Sequence, residues 1–160
     1  MVRWAPALVL LVAALCAQEH YIPPQPIPFS HKQHVGLGLA CSECHANPPP
    51  GASEGLPPIS KCMSCHFSIA KDRPDIVKLK VYADRKQEIP WITVYDTPSY
   101  VRFSHRVHAK AGFKCEKCHG PVETRDALWR ESNISMAGCI ACHRQYKAPV
   151  HCRACHEDRL

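Results

Sequence analysis

Long apolar runs are missing from this sequence after residue 17, and aromatic side chains make up only 8% of its 160 residues. The apolar residues beyond that point are spread thinly, which leaves too little regular pattern for an ordinary side-chain core. Also missing is any run of Lys or Arg interleaved with aromatics. The formal charge of +6 is therefore no nucleic-acid footprint. The length fits one domain or two very small ones, which excludes a sensor that carries a separate signalling domain. What the chain has in abundance is 15 Pro, 11 Cys and 11 His. Small chains with poor cores are held together by disulfides, metals or cofactors. Something besides side chains must fill this interior.

Residues 1–17 read as a targeting segment. Arg3 is the only charge before Glu19, and Trp4 to Ala17 is almost unbroken apolar sequence. That stretch falls short of the roughly 20 residues a bilayer-spanning helix needs and suits the apolar part of a signal peptide. Three outcomes stay open: cleavage after Ala17, retention as a short anchor, or lipidation of Cys16, for which Leu15 is a poor preceding residue. Each delivers residues 18–160 to the periplasm or the outer face of the cytoplasmic membrane.

Apart from Cys16, every cysteine falls in the pattern Cys-x-x-Cys-His. Cys41 and Cys44 precede His45, Cys62 and Cys65 precede His66, and Cys115 and Cys118 precede His119. Cys139 and Cys142 precede His143, and Cys152 and Cys155 precede His156. This is the attachment signature of c-type haem. Two cysteines three positions apart each form a thioether to a vinyl group on one porphyrin edge, and the adjacent histidine swings under the ring to ligate the iron. Zinc and disulfides also use paired cysteines. Neither explains a His directly after all five pairs, and a bridge within C-x-x-C is a redox motif rather than a scaffold. Five covalently bound haems, with their irons, are the expectation. Without Arg3 the chain carries about +5, and ten propionates take it to about −5 when the irons are reduced.

A haem iron needs a ligand on its other face, or keeps that position open for chemistry. Six histidines lie outside the motifs: His20, His31, His34, His105, His108 and His151. Four of them form two His-x-x-His pairs in matching contexts, Phe29-Ser30-His31-Lys32-Gln33-His34 and Phe103-Ser104-His105-Arg106-Val107-His108. The first His of each pair lies ten residues before the next Cys, and Gly38 and Gly112 repeat the common offset of 74. Residues three apart on a helical turn are neighbours whose side chains reach to opposite sides, so one turn can ligate two irons. A lone His would more often sit on the surface or satisfy a core hydrogen bond. Two such pairs, each beside two haem motifs, read as ligands. Sequence order pairs His31 with His45, His34 with His66, His105 with His119, and His108 with His143. The fifth haem has His151, Met136 and His20 as candidates for its second ligand, beside an open position. His151 directly precedes Cys152, on the proximal side of its own haem, and a Met ligand would raise the potential.

With these motifs the chain resembles the small class III multihaem cytochromes, in which Phe-Ser-His-x-x-His leads into Cys-x-x-Cys-His. The likeness extends to Ile89-Pro90-Trp91-Ile92-Thr93-Val94-Tyr95, to Gly120-Pro121-Val122-Glu123-Thr124, and to Ser135-Met136 before Cys139. These stretches, within residues 26–156, resemble the pentahaem subunit of alternative complex III and related cytochromes beside iron–sulfur and molybdopterin oxidoreductases. The resemblance implies a relay of electrons from a membrane quinol oxidoreductase to a smaller cytochrome or an oxidase. It implies redox-protein partners within such a complex, and membrane association through the N-terminus or through those partners.

Residues 21–28 should be an extended polyproline arm, lying on a partner. Pro48 to Pro50 and Pro57-Pro58 mark a loop between the first two motifs. Asp72 to Arg85 is the best helix, with Pro74 near its start and Ile76, Val77, Leu79 and Val81 on one side. Trp91 to Tyr95 is expected to be extended and packed on haem faces, Met63 to be a buried spacer, and Arg125 and Arg130 to be solvated or propionate-paired. The layout reads as module one at about 26–70, a linker at 71–99, module two at about 100–145, and the fifth haem motif at 146–160. The expected fold is compact and mostly irregular with short α-helices, class III-like, the haems forming its core. About 29 residues per haem forces the haems close together. An electron carrier without catalytic residues is the leading function. Its rival is a multihaem reductase, which needs an open iron with His, Arg, Lys or Tyr nearby.

Overall fold

A computed structural model describes residues 20–45 and 55–156. The targeting segment, Cys16 and the Pro48–Pro50 part of the expected loop lie outside the described residues. The described chain forms seven short helices: α1 His31–Gly36, α2 Cys41–Cys44, α3 Ile59–His66, α4 Pro74–Asp84, α5 His105–Lys110, α6 Glu116–His119 and α7 Met136–Gln145. Two 3₁₀ turns, Val122–Thr124 and Cys152–Ala154, complete it. Among the described residues the only β pairing is an isolated antiparallel bridge between Val101 and His156. Short helices without a sheet are what the class III-like reading expects. No helix of the described residues is long and apolar enough to cross a membrane.

The two His-x-x-His segments fold alike because their boundary residues match. Ser30 caps α1 by accepting from the Gln33 amide, and Ser104 caps α5 by accepting from Val107. Both helices are only six residues long, too short to persist alone in water. Both end on a glycine in the left-handed region, Gly38 and Gly112, each at φ 88°. The glycine amides return to Val35 O at 2.8 Å and Ala109 O at 3.0 Å. The repeat seen in sequence is thus a repeated turn of backbone.

The small apolar core lies in and beside the linker. Ile27, Leu79 and Ile89 are buried, with Ile59, Cys62, Met63, Ile76, Tyr82 and Trp91 half-buried around them. Burying such an aliphatic side chain contributes about 1.5–3 kcal/mol, so three of them make a slight core for this length. Helix α4 packs on α3. Its inward face carries Ile76 and Leu79, at helical spacing. Val77 and Val81 lie on another face and stay 50% and 43% exposed, which corrects the expectation that all four share a side. Met63 packs on this core from inside the second haem motif.

The proline arm, expected to lie on a partner, docks on its own chain. The Gln25 side-chain amide donates to Ile92 O at 2.7 Å and accepts from Ile92 N at 3.0 Å. Lys78 Nζ donates to Pro26 O at 2.6 Å. The two halves meet where α1 packs on the Val122–Thr124 turn. There Lys32 N donates to Arg125 O at 3.0 Å, and Ser30 Oγ donates to Asp126 Oδ1 at 2.6 Å.

Candidate metal centres

Nine histidines are half-buried: the five of the Cys-x-x-Cys-His motifs, with His31, His34, His105 and His108. The structure sets eight of them in four facing pairs. Ring centroids are 6.3 Å apart for His31 and His45, and 6.1 Å for His34 and His66. They are 6.3 Å apart for His105 and His119, and 6.1 Å for His108 and His143. An imidazole nitrogen lies about 1.1 Å from its ring centre and a metal–nitrogen bond is about 2.0 Å, so two imidazoles trans on one metal have centres about 6.2 Å apart. Ordinary ring stacking brings centroids closer, as for Phe29 on His34 at 4.4 Å and Phe103 on His108 at 4.5 Å. The spacing is that of two ligands with an atom between them.

Hydrogen bonds orient these rings. His34 Nδ1 lies 2.8 Å from Ser30 O, and His108 Nδ1 lies 2.8 Å from Ser104 O. On the other side of the pairs, Nδ1 of His45, His66 and His143 meets the carbonyls of Gly55, Ile69 and Pro149 at 3.1, 3.1 and 2.6 Å. A carbonyl only accepts, so each Nδ1 carries the proton and each Nε2 keeps its lone pair for a metal. Phe29 and Phe103 wedge the distal rings, face-on to His34 and His108 and edge-on to His31 and His105. Burial, then the neighbouring His45 and His34, pushes His31 down to about 4. Burial, then His105 and His45, lowers His119. Both favour the neutral, ligating form.

The residues fit haem. Nδ1 of His31 and of His105 is buried without a hydrogen-bond partner in the protein, and such an orphaned polar atom marks a ring whose surroundings the protein alone does not complete. Leu37 and Phe67, three residues beyond His34 and next to His66, are 79% and 78% exposed, as apolar surface meant for a cofactor face would be. Among the described residues no motif cysteine is in a disulfide. Nor do three or more His, Cys, Asp or Glu side chains converge there as a tetrahedral zinc needs. Burial raises the thiols of Cys62, Cys118 and Cys139, so none is a ready thiolate. Cys41, Cys44, Cys65, Cys115, Cys142, Cys152 and Cys155 complete the five Cys-x-x-Cys steps directly before their histidines.

The fifth motif differs. His156 has Tyr100 as its ring neighbour, at 5.9 Å and 26°. His151 is exposed and opens the Cys152–Ala154 turn, its carbonyl accepting from Ala154 N at 2.9 Å. His20 is exposed and stacks on Trp129 at 5.0 Å, and Met136 is 68% exposed at the start of α7.

Sequence reasoning missed the residues that hold His119. The Tyr95 ring meets His119 edge-on at 4.6 Å, and its hydroxyl donates to Cys118 O at 2.8 Å while accepting from Glu131 N at 2.7 Å. Arg125 is not solvated: its side chain is 9% exposed, pairs with Glu131 at 2.7 Å, and lies 3.8 Å over the Trp129 ring. Arg130 donates to Val94 O at 3.3 Å. These contacts join positions 23 to 36 residues apart, or turn on burial that charge patterning does not carry.

Comparison with known proteins places this geometry. Residues 101–158 match the family model described as cytochrome c7 and related cytochrome c, and residues 12–89 match the class III cytochrome c family. The chain is similar to the multihaem cytochrome c subunit of menaquinone reductase from Nitratidesulfovibrio vulgaris. The two are 34% identical over 169 aligned residues, which cover 98% of this chain and 72% of the relative.

Proposed function

The chain belongs to the multihaem c-type cytochromes, electron-transfer proteins with several covalently bound haems, and on that footing we propose that it is a pentahaem electron carrier of a membrane quinone oxidoreductase. The carrying observation is the four imidazole pairs at 6.1–6.3 Å. His31 with His45, His34 with His66, His105 with His119, and His108 with His143 would each hold one haem iron from both faces. Cys41, Cys44, Cys62, Cys65, Cys115, Cys118, Cys139, Cys142, Cys152 and Cys155 would fix the five porphyrins, with His156 the proximal ligand of the fifth. Haem supplies one-electron chemistry there. The protein's part is to hold each pair of imidazoles oriented and sheltered.

Those four irons would have no position left for a substrate, which supports a carrier rather than an enzyme. The relative's name ties it to a menaquinone reductase, which supports a quinone-linked membrane complex on one side and a second redox protein on the other. The signature of haem attachment together with the apolar N-terminus supports a periplasmic location. The repeated capped helices support modules at about 26–70 and 100–145, joined by the linker 71–99, with the fifth motif at 146–160.

Tyr100, in place of an imidazole, beside His156 favours a second reading confined to the fifth haem: an open iron and a reductase activity. His151 is the ligand the carrier reading assigns there. Intact mass and carbon monoxide test both. The carrier reading expects five haem additions on the exported chain and no spectral shift of the reduced protein under carbon monoxide. One haem in five shifted supports the open site. Fewer than five additions would sink the pentahaem proposal.

A further inference from the structure

Numbered along the sequence, the five sites centre on His45, His66, His119, His143 and His156. Sites one and two share α1, because His31 faces His45 while His34, one turn on, faces His66. Sites three and four share α5 in the same way, through His105 and His108. The halves join through His31's own neighbours in the chain. Ser30 and Lys32 bind Asp126 and Arg125, and Arg125 reaches back to His119 O at 3.5 Å. Site one therefore abuts site three. The fifth motif folds back onto the entry to α5. Val101 bridges to His156, Arg102 N donates to Cys155 O at 2.7 Å, and Phe103 beside them stacks on His108, the site-four ring.

We infer that the five sites form an unbranched file in the order two, one, three, four, five, with Cys62–His66 at one end and Cys152–His156 at the other. The inference rests on the five-haem reading. Chain order and spatial order differ because each His-x-x-His helix serves the two motifs that follow it, while α1 is the element that touches the second half. An electron taken up at one end and released at the other, one for one and without a proton, must cross the junction of Ser30, Lys32, Arg125 and Asp126. The end sites are the places for donor and acceptor.

A redox titration of the holoprotein, followed haem by haem by exchange NMR, tests the order. Oxidation of one haem shifts the midpoint of its neighbours most, since charge interaction falls with distance. Resonances are assigned from variants that lack one cysteine pair, such as C62A/C65A. If such a variant does not accumulate, wild-type contacts of haem protons with Phe29, Phe103 and Tyr100 assign them instead. The order predicts four dominant couplings, two–one, one–three, three–four and four–five. His34→Met, which raises the site-two potential, should move the site-one midpoint and leave sites three to five in place. A two–three, two–five or one–five coupling as large as one–three would overturn the order. Intact mass separates the failures: fewer than five haems sinks the five-haem reading, whereas five haems with another coupling pattern sinks the file alone.

Discussion

At the residue scale, Tyr95 does two things at once for His119: its ring fixes the imidazole, and its hydroxyl ties Cys118 O to the amides of Glu131 and Ser132. Tyr95→Phe keeps the ring and removes the ties. Each hydrogen bond contributes about 0.5–1.5 kcal/mol net, so losing the three should cost about 1.5–4.5 kcal/mol in denaturant unfolding of the holoprotein. One of the ferric haem signals in electron paramagnetic resonance should move with it. An unchanged spectrum would reduce Tyr95 to packing. Beside it, the hydrogen bond from Arg125 holds the Glu131 carboxyl below its usual range. A carboxylate lowered on folding adds stability above its unfolded value and loses it as pH falls through the folded one. Wild type should therefore be more stable than Glu131→Gln at pH 7, and the gap should narrow as pH falls below the free carboxylate value of about 4.3. A gap that does not narrow on acidification below that value would contradict the ion-pair assignment.

At the element scale, the helices are short and their ends decide them. Gly38 and Gly112 hold φ 88° with nothing within 4 Å of an added Cβ, so an alanine there meets only backbone strain. Gly38→Ala and Gly112→Ala should each cost about 1 kcal/mol by thermal or denaturant unfolding. Equal stability would mean that these turns reorganise. Gly138 is required for another reason: a Cβ would stand 2.2 Å from Asn133 O, so the loop before α7 closes over the helix. Gly138→Ala should lower the yield of holoprotein by displacing the segment leading to Cys139 and Cys142, read as haem content per chain. Element ends were legible where they are local. Pro74 at the start of α4, and Ser30 and Ser104 before the paired helices, announce themselves within four residues. The face of α4 was less so, since Val77 and Val81 fit an apolar count but not the 3.6-residue spacing of Ile76 and Leu79.

At the scale of the whole molecule, the sequence carried the haem motifs and their partner helices because covalent attachment and a shared turn are local constraints. It carried neither the burial of Arg125, which charge patterning does not show although its partner Glu131 is only 6 residues away, nor the junction of α1 with the Val122–Thr124 turn, where Ser30 meets Asp126 96 positions on. The proline arm makes the same point. Its composition announced extended backbone, yet only the structure gives its seat on Ile92 and Lys78. With Ile27, Leu79 and Ile89 as the buried apolar residues, the sites themselves must supply most of the interior, and haem loss should be coupled to unfolding.

Anomalous diffraction at the iron edge from crystals of the holoprotein tests this most directly. The account predicts five iron peaks, four of them midway between His31 and His45, His34 and His66, His105 and His119, and His108 and His143, each about 2 Å from a ring nitrogen of both partners. Iron absent from those four midpoints, or a metal seated among the cysteine sulfurs instead, would contradict it.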